Sequence, residues 1–366
     1  MKFETIDQGF LFQGQPGTSA AVAAGSRCVR TNSGDLLCTF MVQSALSVND
    51  LKIMLARSRD GVTWQEPHVL WPKLAARQSM FGSLSRSPVG ELFIYGFLIP
   101  IDNPGESFWS DAAQGLKQNS LFWAKSVDEG QTWTAPALIP MPYSGSAEAP
   151  GPMCVARDGV WLCCYAPYNS FDPKLKVERD RIVVLRSENQ GKTWSAQPMI
   201  RFPDPASGGA EAWVIELADG RLLGTCWNVG SGGFEYSNPY ALSLDAGRTW
   251  LPARSTGILG QSTALLALSD GRALMAYNQR KHGEVGVWVA VARPTPDDFG
   301  LETNEILWRA ATATQKGTSG NLEAWADFAF GEPCLTLLDN GELLLTLWCI
   351  QPDGSGIRFL KFRMKD

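Results

Sequence analysis

Ser126-Val127-Asp128-Glu129-Gly130-Gln131-Thr132-Trp133 reads S-x-D-x-G-x-T-W. The chain repeats it as Ser187 to Trp194 (S-E-N-Q-G-K-T-W) and Ser243 to Trp250 (S-L-D-A-G-R-T-W). Ser58 to Trp64 (S-R-D-G-V-T-W) is one residue shorter between Ser and Gly. The Ser-to-Ser steps are 126−58 = 68, 187−126 = 61 and 243−187 = 56. A nearly fixed period of this size is the signature of a repeat architecture. The motif has a turn mechanism: Asp or Asn accepts backbone N–H groups, Gly takes a positive φ, and Trp plugs the space between sheets. These residues read as a structural staple with no chemistry.

A second repeat runs in parallel. Gly34, Gly90, Gly159, Gly220, Gly271 and Gly341 each follow a polar residue or a proline-valine pair and precede an apolar run, with steps of 56, 69, 61, 51 and 70. Asp-Gly and Asn-Gly between apolar runs signal hairpins. Six hairpins, four of them followed by the tryptophan turn, predict an all-β, six-bladed β-propeller of four-stranded antiparallel blades, a single domain over residues 1–366. The last blade lacks an outer strand at the C-terminus, and Phe3 to Phe12 is expected to supply it and remove the open edges. The longer loops, Gln43 to Asn49, Pro100 to Gln118, Pro167 to Arg179 and Val229 to Asn238, all follow the second strand of a blade and should crowd one rim.

Composition narrows the function. With 45% apolar residues in 366, the chain can bury a large core. A net charge of −5 argues against nucleic acid or an anionic membrane as partner. The N-terminus has no apolar signal region, no stretch is long enough to span a bilayer, and the eight scattered cysteines lack C-x-x-C spacing. The expectation is a cytoplasmic protein with reduced cysteines. Only two histidines, His68 and His282, are present, which disfavours a Ser-His-Asp triad or a histidine metal site. No metal and no cofactor is expected; chemistry must run on carboxylates, Arg, Tyr or Cys.

Counting back from the turn glycines locates candidates. Glu211 and Glu332 lie nine residues before Gly220 and Gly341, Glu148 eleven before Gly159, and Arg27 seven before Gly34. Gln261 and Ser262 occupy the matching place before Gly271. Inner strands surround the axis, so these side chains should ring one mouth of the channel. Arg280, ending the second strand of blade five, and Asp50, opening the third strand of blade one, should point to the same rim.

At this point the chain resembles the sialidase (neuraminidase) superfamily, also called BNR or Asp-box proteins, over essentially its whole length. Arg27 in Ser26-Arg27-Cys28-Val29 resembles that family's first arginine, and Arg280 its third carboxylate-binding arginine. Asp50 resembles the catalytic acid, and Glu211 in Gly209-Ala210-Glu211-Ala212-Trp213-Val214 the glutamate that polarises a tyrosine nucleophile. Two positions depart: Cys226-Trp227-Asn228 stands where the second arginine is expected, and Glu332 stands on or beside the tyrosine's place. A carboxylate nucleophile would be repelled by the anomeric carboxylate of sialic acid, so the departures suit a sugar whose anomeric carbon bears hydrogen. The resemblance implies an exo-acting, sialidase-like glycoside hydrolase on a carbohydrate substrate. Asp50 would be the acid, Glu332 or Glu211 the base or nucleophile, and Arg27 with Arg280 the anchor of an anionic group; Glu148, Gln261, Tyr277 and Asn228 would line the sugar. Two other readings remain: a uronate lyase using Tyr277, Tyr236 and Arg280, and a non-catalytic glycan-binding propeller.

Overall fold

The computed structural model describes residues 2–149, 151–204, 207–230, 235–315 and 327–365. Six antiparallel sheets follow one another along the chain as the blades of a β-propeller. Blade one is Val22–Arg30, Leu36–Gln43, Lys52–Ser58 and His68–Val69. Blade two is Gln78–Arg86, Leu92–Pro100, Ser120–Ser126 and Ala137–Ile139. Blade three opens with a broken inner strand, Ser146–Glu148 then Cys154–Val155, and continues with Trp161–Tyr168, Arg181–Ser187 and Ser195–Arg201. Blade four is Gly208–Glu216, Leu222–Val229, Pro239–Ser243 and Arg254–Ser255; blade five is Thr263–Ala267, Ala273–Gln279, Gly286–Ala292 and Leu301–Arg309. Blade six is Phe330–Leu337, Leu343–Gln351, Gly354–Lys365 and, as its outer strand, Lys2–Gln13.

Each first hairpin is built the same way. The glycine N–H reaches back three residues, as Gly34 N to Thr31 O at 3.2 Å, and the residue at that position donates across the turn, as Thr31 N to Asp35 O at 2.8 Å. All six turn glycines have φ between 79° and 92°, the left-handed conformation that a three-residue hairpin loop demands of its last residue. The tryptophan turns also share one mechanism. Ser126 Oγ accepts from Gly130 N–H at 2.9 Å, Asp128 accepts from Thr132 N–H at 2.9 Å, and the Trp133 indole donates to Gly130 O at 3.2 Å. The Thr132 hydroxyl and N–H hold the Asp128 carboxyl down to about 2, and the Thr63 and Val62 N–H groups do the same for Asp60 in its shorter turn. The turns lie on the same face as the glycine hairpins: Ser33 N–H donates to the Glu129 carboxylate of the next blade's turn at 2.9 Å.

The core lies between blades. Alternate apolar side chains of neighbouring sheets interdigitate, as where Trp161 of blade three meets Phe93 of blade two edge-on at 4.8 Å. Closure joins the two chain ends. Lys2–Gln13 pairs antiparallel with Gly354–Lys365, from Lys2 opposite Lys365 to Gln13 opposite Gly356. Phe3 meets Phe362 edge-on at 5.8 Å, and Leu11 and Phe12 are buried. Removing residues 1–13 therefore exposes a twelve-residue strand edge and the apolar face above it. The truncated chain is expected to melt about 10 °C or more below the full chain; an unchanged melting temperature would contradict closure by this strand.

Candidate functional site

The site begins with a backbone irregularity that occurs three times. In blades one, four and six the inner strand carries a bulge, between Ala24 and Arg27, Ala210 and Trp213, and Gly331 and Cys334. Its first residue is left-handed: Gly25 at φ 63°, Glu211 at 52° and Glu332 at 48°. Each lies nine residues before its turn glycine (34−25, 220−211, 341−332). Glycine takes this conformation freely, and a Cβ on Gly25 would lie 2.1 Å from Met41 Cε. Glutamate there is strained, at a cost of roughly 1–3 kcal/mol. The bulge re-aims the side chain from the sheet face toward the channel axis. It also explains why Arg27 sits at a different count: it lies two residues beyond the bulge's first position.

The re-aimed carboxylates are tied from blade to blade. Glu148 of blade three accepts from the Glu211 N–H of blade four at 2.8 Å. The Glu211 carboxylate is hydrogen-bonded by Ser262 of blade five, while its Oε2 is buried without a partner. Glu332 of blade six accepts from the Gly25 N–H of blade one and from the Trp348 indole. Arg27 Nη2 lies 3.7 Å from Glu332 Oε1, and its guanidinium sits 5.4 Å from the Trp213 ring centre. Arg280 donates to Gln261 Oε1 at 2.6 Å and to Phe330 O at 2.8 Å and packs 3.6 Å over Phe328.

Three glutamates facing two arginines in a buried setting cannot all ionise cheaply. Burial, then the neighbouring Glu211 charge, pushes the Glu148 carboxyl well above its ordinary value. Burial, then the Glu332 charge, raises Glu211 to about 7. Burial also raises Glu332, and Arg27 opposes the shift. All three carboxyls are thus raised by burial, while Arg27 favours the charged form of each.

Glu148, Glu211, Glu332 and Arg280 line one cavity of about 490 Å³. Much of the remaining lining is apolar, with Leu46, Leu51, Phe81, Phe97 and Phe108 and with Trp227, Phe328 and Trp348. The loop after the second strand of blade two roofs it with Phe108, Trp109 and Leu116. That loop is pinned to blade one, where Asn49 Nδ2 donates to Glu106 Oε1 at 2.8 Å and Phe108 N to Ser47 O at 3.0 Å.

Several sequence candidates lie elsewhere. Asp50 is not in the lining; its Oδ1 accepts from Ser44 N–H at 3.1 Å, and its neighbour Leu51 takes the inward place. Asn228 lies between Trp227 and Val229, which both face the cavity, and strand alternation turns Asn228 away. Tyr277 is packed within blade five, its hydroxyl donating to Asn304 at 2.9 Å. Gln261 supports Arg280 from behind. Sequence reasoning missed Phe81, Tyr168 and Arg179, all of which line the cavity. Phe81 was findable, being nine residues before Gly90. Arg179 sits inside the charged run Lys174 to Arg181 at a loop end, where no period marks it.

The six-bladed propeller is the fold that this chain shares with sialidases among the solved structures. Residues 34–300 match the BNR repeat-like domain, and the chain belongs to that family. It is 25% identical to a sialidase of Bacteroides fragilis over 258 residues, covering 62% of this chain and 43% of that one. The chain thus spans less than half the length of this curated relative. Among solved structures, the Hadza microbial sialidase Hz136 superposes with a TM-score of 0.67 at 18% identity, covering 94% of this chain and 66% of that one. An α-L-arabinofuranosidase of Fusarium graminearum superposes with a TM-score of 0.63 at 14% identity, covering 98% of each chain. These structural likenesses establish the fold.

The raised Glu211 carboxyl yields a stability prediction. Folded, the group keeps its proton up to about 7, whereas unfolded it releases it near 4.5. Its contribution is therefore full below pH 4.5 and is lost as pH rises toward 7. Glu211→Gln removes this loss, so the variant should gain on the wild type across that window, by up to about 3 kcal/mol, and level off above it. Denaturant titrations at several pH values check this; a pH-independent difference would mean Glu211 is ionised throughout.

Proposed function

We propose that the protein is an exo-acting glycoside hydrolase working with carboxylates alone. The observation that carries this reading is the single cavity in which Glu148, Glu211 and Glu332 meet with their pKa values pushed unequally upward. Pairs of carboxyl groups with separated proton affinities are what glycoside cleavage needs, one to protonate the leaving oxygen and one to meet the cationic anomeric carbon. Glu211, holding its proton to about 7, is the acid. Glu148 keeps a second proton close by, receives the Glu211 N–H, and positions that bulge. Glu332, with Arg27, the Gly25 N–H and Trp348 on its carboxylate, is the nucleophile or the base that activates water.

A glutamate in the nucleophile's role favours a sugar with hydrogen at its anomeric carbon over sialic acid. The roofed cavity of about 490 Å³ fits one terminal sugar with part of its aglycone. The arabinofuranosidase and the sialidases named above show that this fold accommodates both kinds of substrate in other proteins.

A panel of aryl glycosides including an arabinofuranoside, uronides and a sialoside tests the reading. Glu148→Gln, Glu211→Gln and Glu332→Gln should each lower kcat by about 10²-fold or more, the scale of a lost acid or base. The wild-type rate should fall as pH rises past about 7, where Glu211 loses its proton. Full activity in all three variants, or no hydrolysis of any glycoside, would sink it. A product with the ultraviolet absorbance of an unsaturated uronate would make the protein a lyase instead.

A further inference from the structure

Arg179 is a cation in the cavity wall that the proposed chemistry does not use. Its guanidinium lies 4.7 Å over the Tyr168 ring, and Tyr168 in turn meets Trp109 edge-on at 6.4 Å. All three line the cavity beside Glu148 and Glu211. Burial pushes the Tyr168 phenol up to about 12, so it stays neutral and offers Arg179 no counter-charge. Arg179 Nε is buried without a hydrogen-bond partner. Among the described residues no carboxylate lies within ion-pair distance of Arg179, although it is flanked by two acids. Glu178 and Asp180 both turn to Arg181, at 2.8 Å each.

The other two arginines near the cavity are committed: Arg27, buried behind the lining and not part of it, to Glu332, and Arg280 to Gln261 and Phe330 O. A half-buried guanidinium lacking a counter-ion is costly, and an anion delivered by a ligand offsets that cost. Arginine's planar fork suits a carboxylate in particular. We propose that Arg179, stacked on Tyr168, is the subsite that recognises the carboxylate of an acidic sugar, placing it at the blade-three wall rather than against Arg27 and Arg280. This rests on the glycoside reading above for the sugar and on the uncompensated cation for the acid.

The test measures binding, so it does not depend on turnover. Titration calorimetry compares D-glucuronate and D-galacturonate with D-glucose and D-galactose, with galactose 6-sulfate as a second anion. At least one uronate should bind more tightly than its neutral counterpart by about tenfold or more, the scale of a charge-assisted hydrogen-bonded pair. Arg179→Gln should erase that preference and leave neutral-sugar affinity and the melting temperature in place, whereas Arg179→Lys should retain part of it. No preference in the wild type, a preference that survives Arg179→Gln, or tighter binding of the sulfate ester than of either uronate overturns the proposal. A uronate preference lost in Arg179→Gln, in a protein that hydrolyses no glycoside, would uphold this subsite while removing the hydrolase reading.

Discussion

The bulge nine residues before the turn glycine governs this molecule. A regular inner strand places alternate side chains on the two faces of its blade, where neighbouring sheets bury them. A charged residue in such a strand would be caught between sheets. The extra residue breaks that alternation at one point and lets a side chain leave the sheet toward the axis. Blade one uses glycine there and has no strain to relieve; blades four and six hold glutamates at φ 52° and 48°. The strain sits at the positions with the most distinctive chemistry, the usual correlation of strained backbone with function.

The same bulges link the site to ring closure. An inner-strand bulge leaves an N–H outside the regular ladder, and the carboxylate of the preceding blade takes it: Glu332 takes Gly25 N–H across the join between blades six and one, and Glu148 takes Glu211 N–H between blades three and four. The carboxylates are thereby satisfied by backbone from a different blade, so their spacing is set by the propeller and not by local loop conformation. Loops then add the roof and Arg179, the parts most open to change of specificity on a fixed frame.

What was legible in the sequence follows from how local each determinant is. The hairpin glycines and tryptophan turns announce themselves because their hydrogen bonds close within five residues. Counting from Gly220 and Gly341 finds Glu211 and Glu332 because the strand between is regular. Other candidates fall outside the cavity lining by strand parity. Asp50, Asn228 and Tyr277 were each placed near the right strand end, but alternation hands the inward place to Leu51, to Trp227 and Val229, and away from Tyr277 altogether. Arg179 and Tyr168 become neighbours only when the loop of residues 167–179 folds back, a long-range event with no periodic trace.

The acidic residues of the two faces show why the fold separates stability from chemistry. On the turn face, Asp60 and Asp128 are ringed by N–H and hydroxyl donors that favour the charged form, and their carboxyls fall to about 2. They are locked as anions across any working pH and can only hold a turn. On the axial face Glu211 is desolvated, faces Glu332 and carries an unpartnered oxygen, so its carboxyl rises to about 7. One environment crowds the carboxylate with donors; the other leaves one oxygen unpartnered and adds like charge. Only the second leaves a proton exchangeable near neutral pH, and the bulges put it at the mouth of the channel.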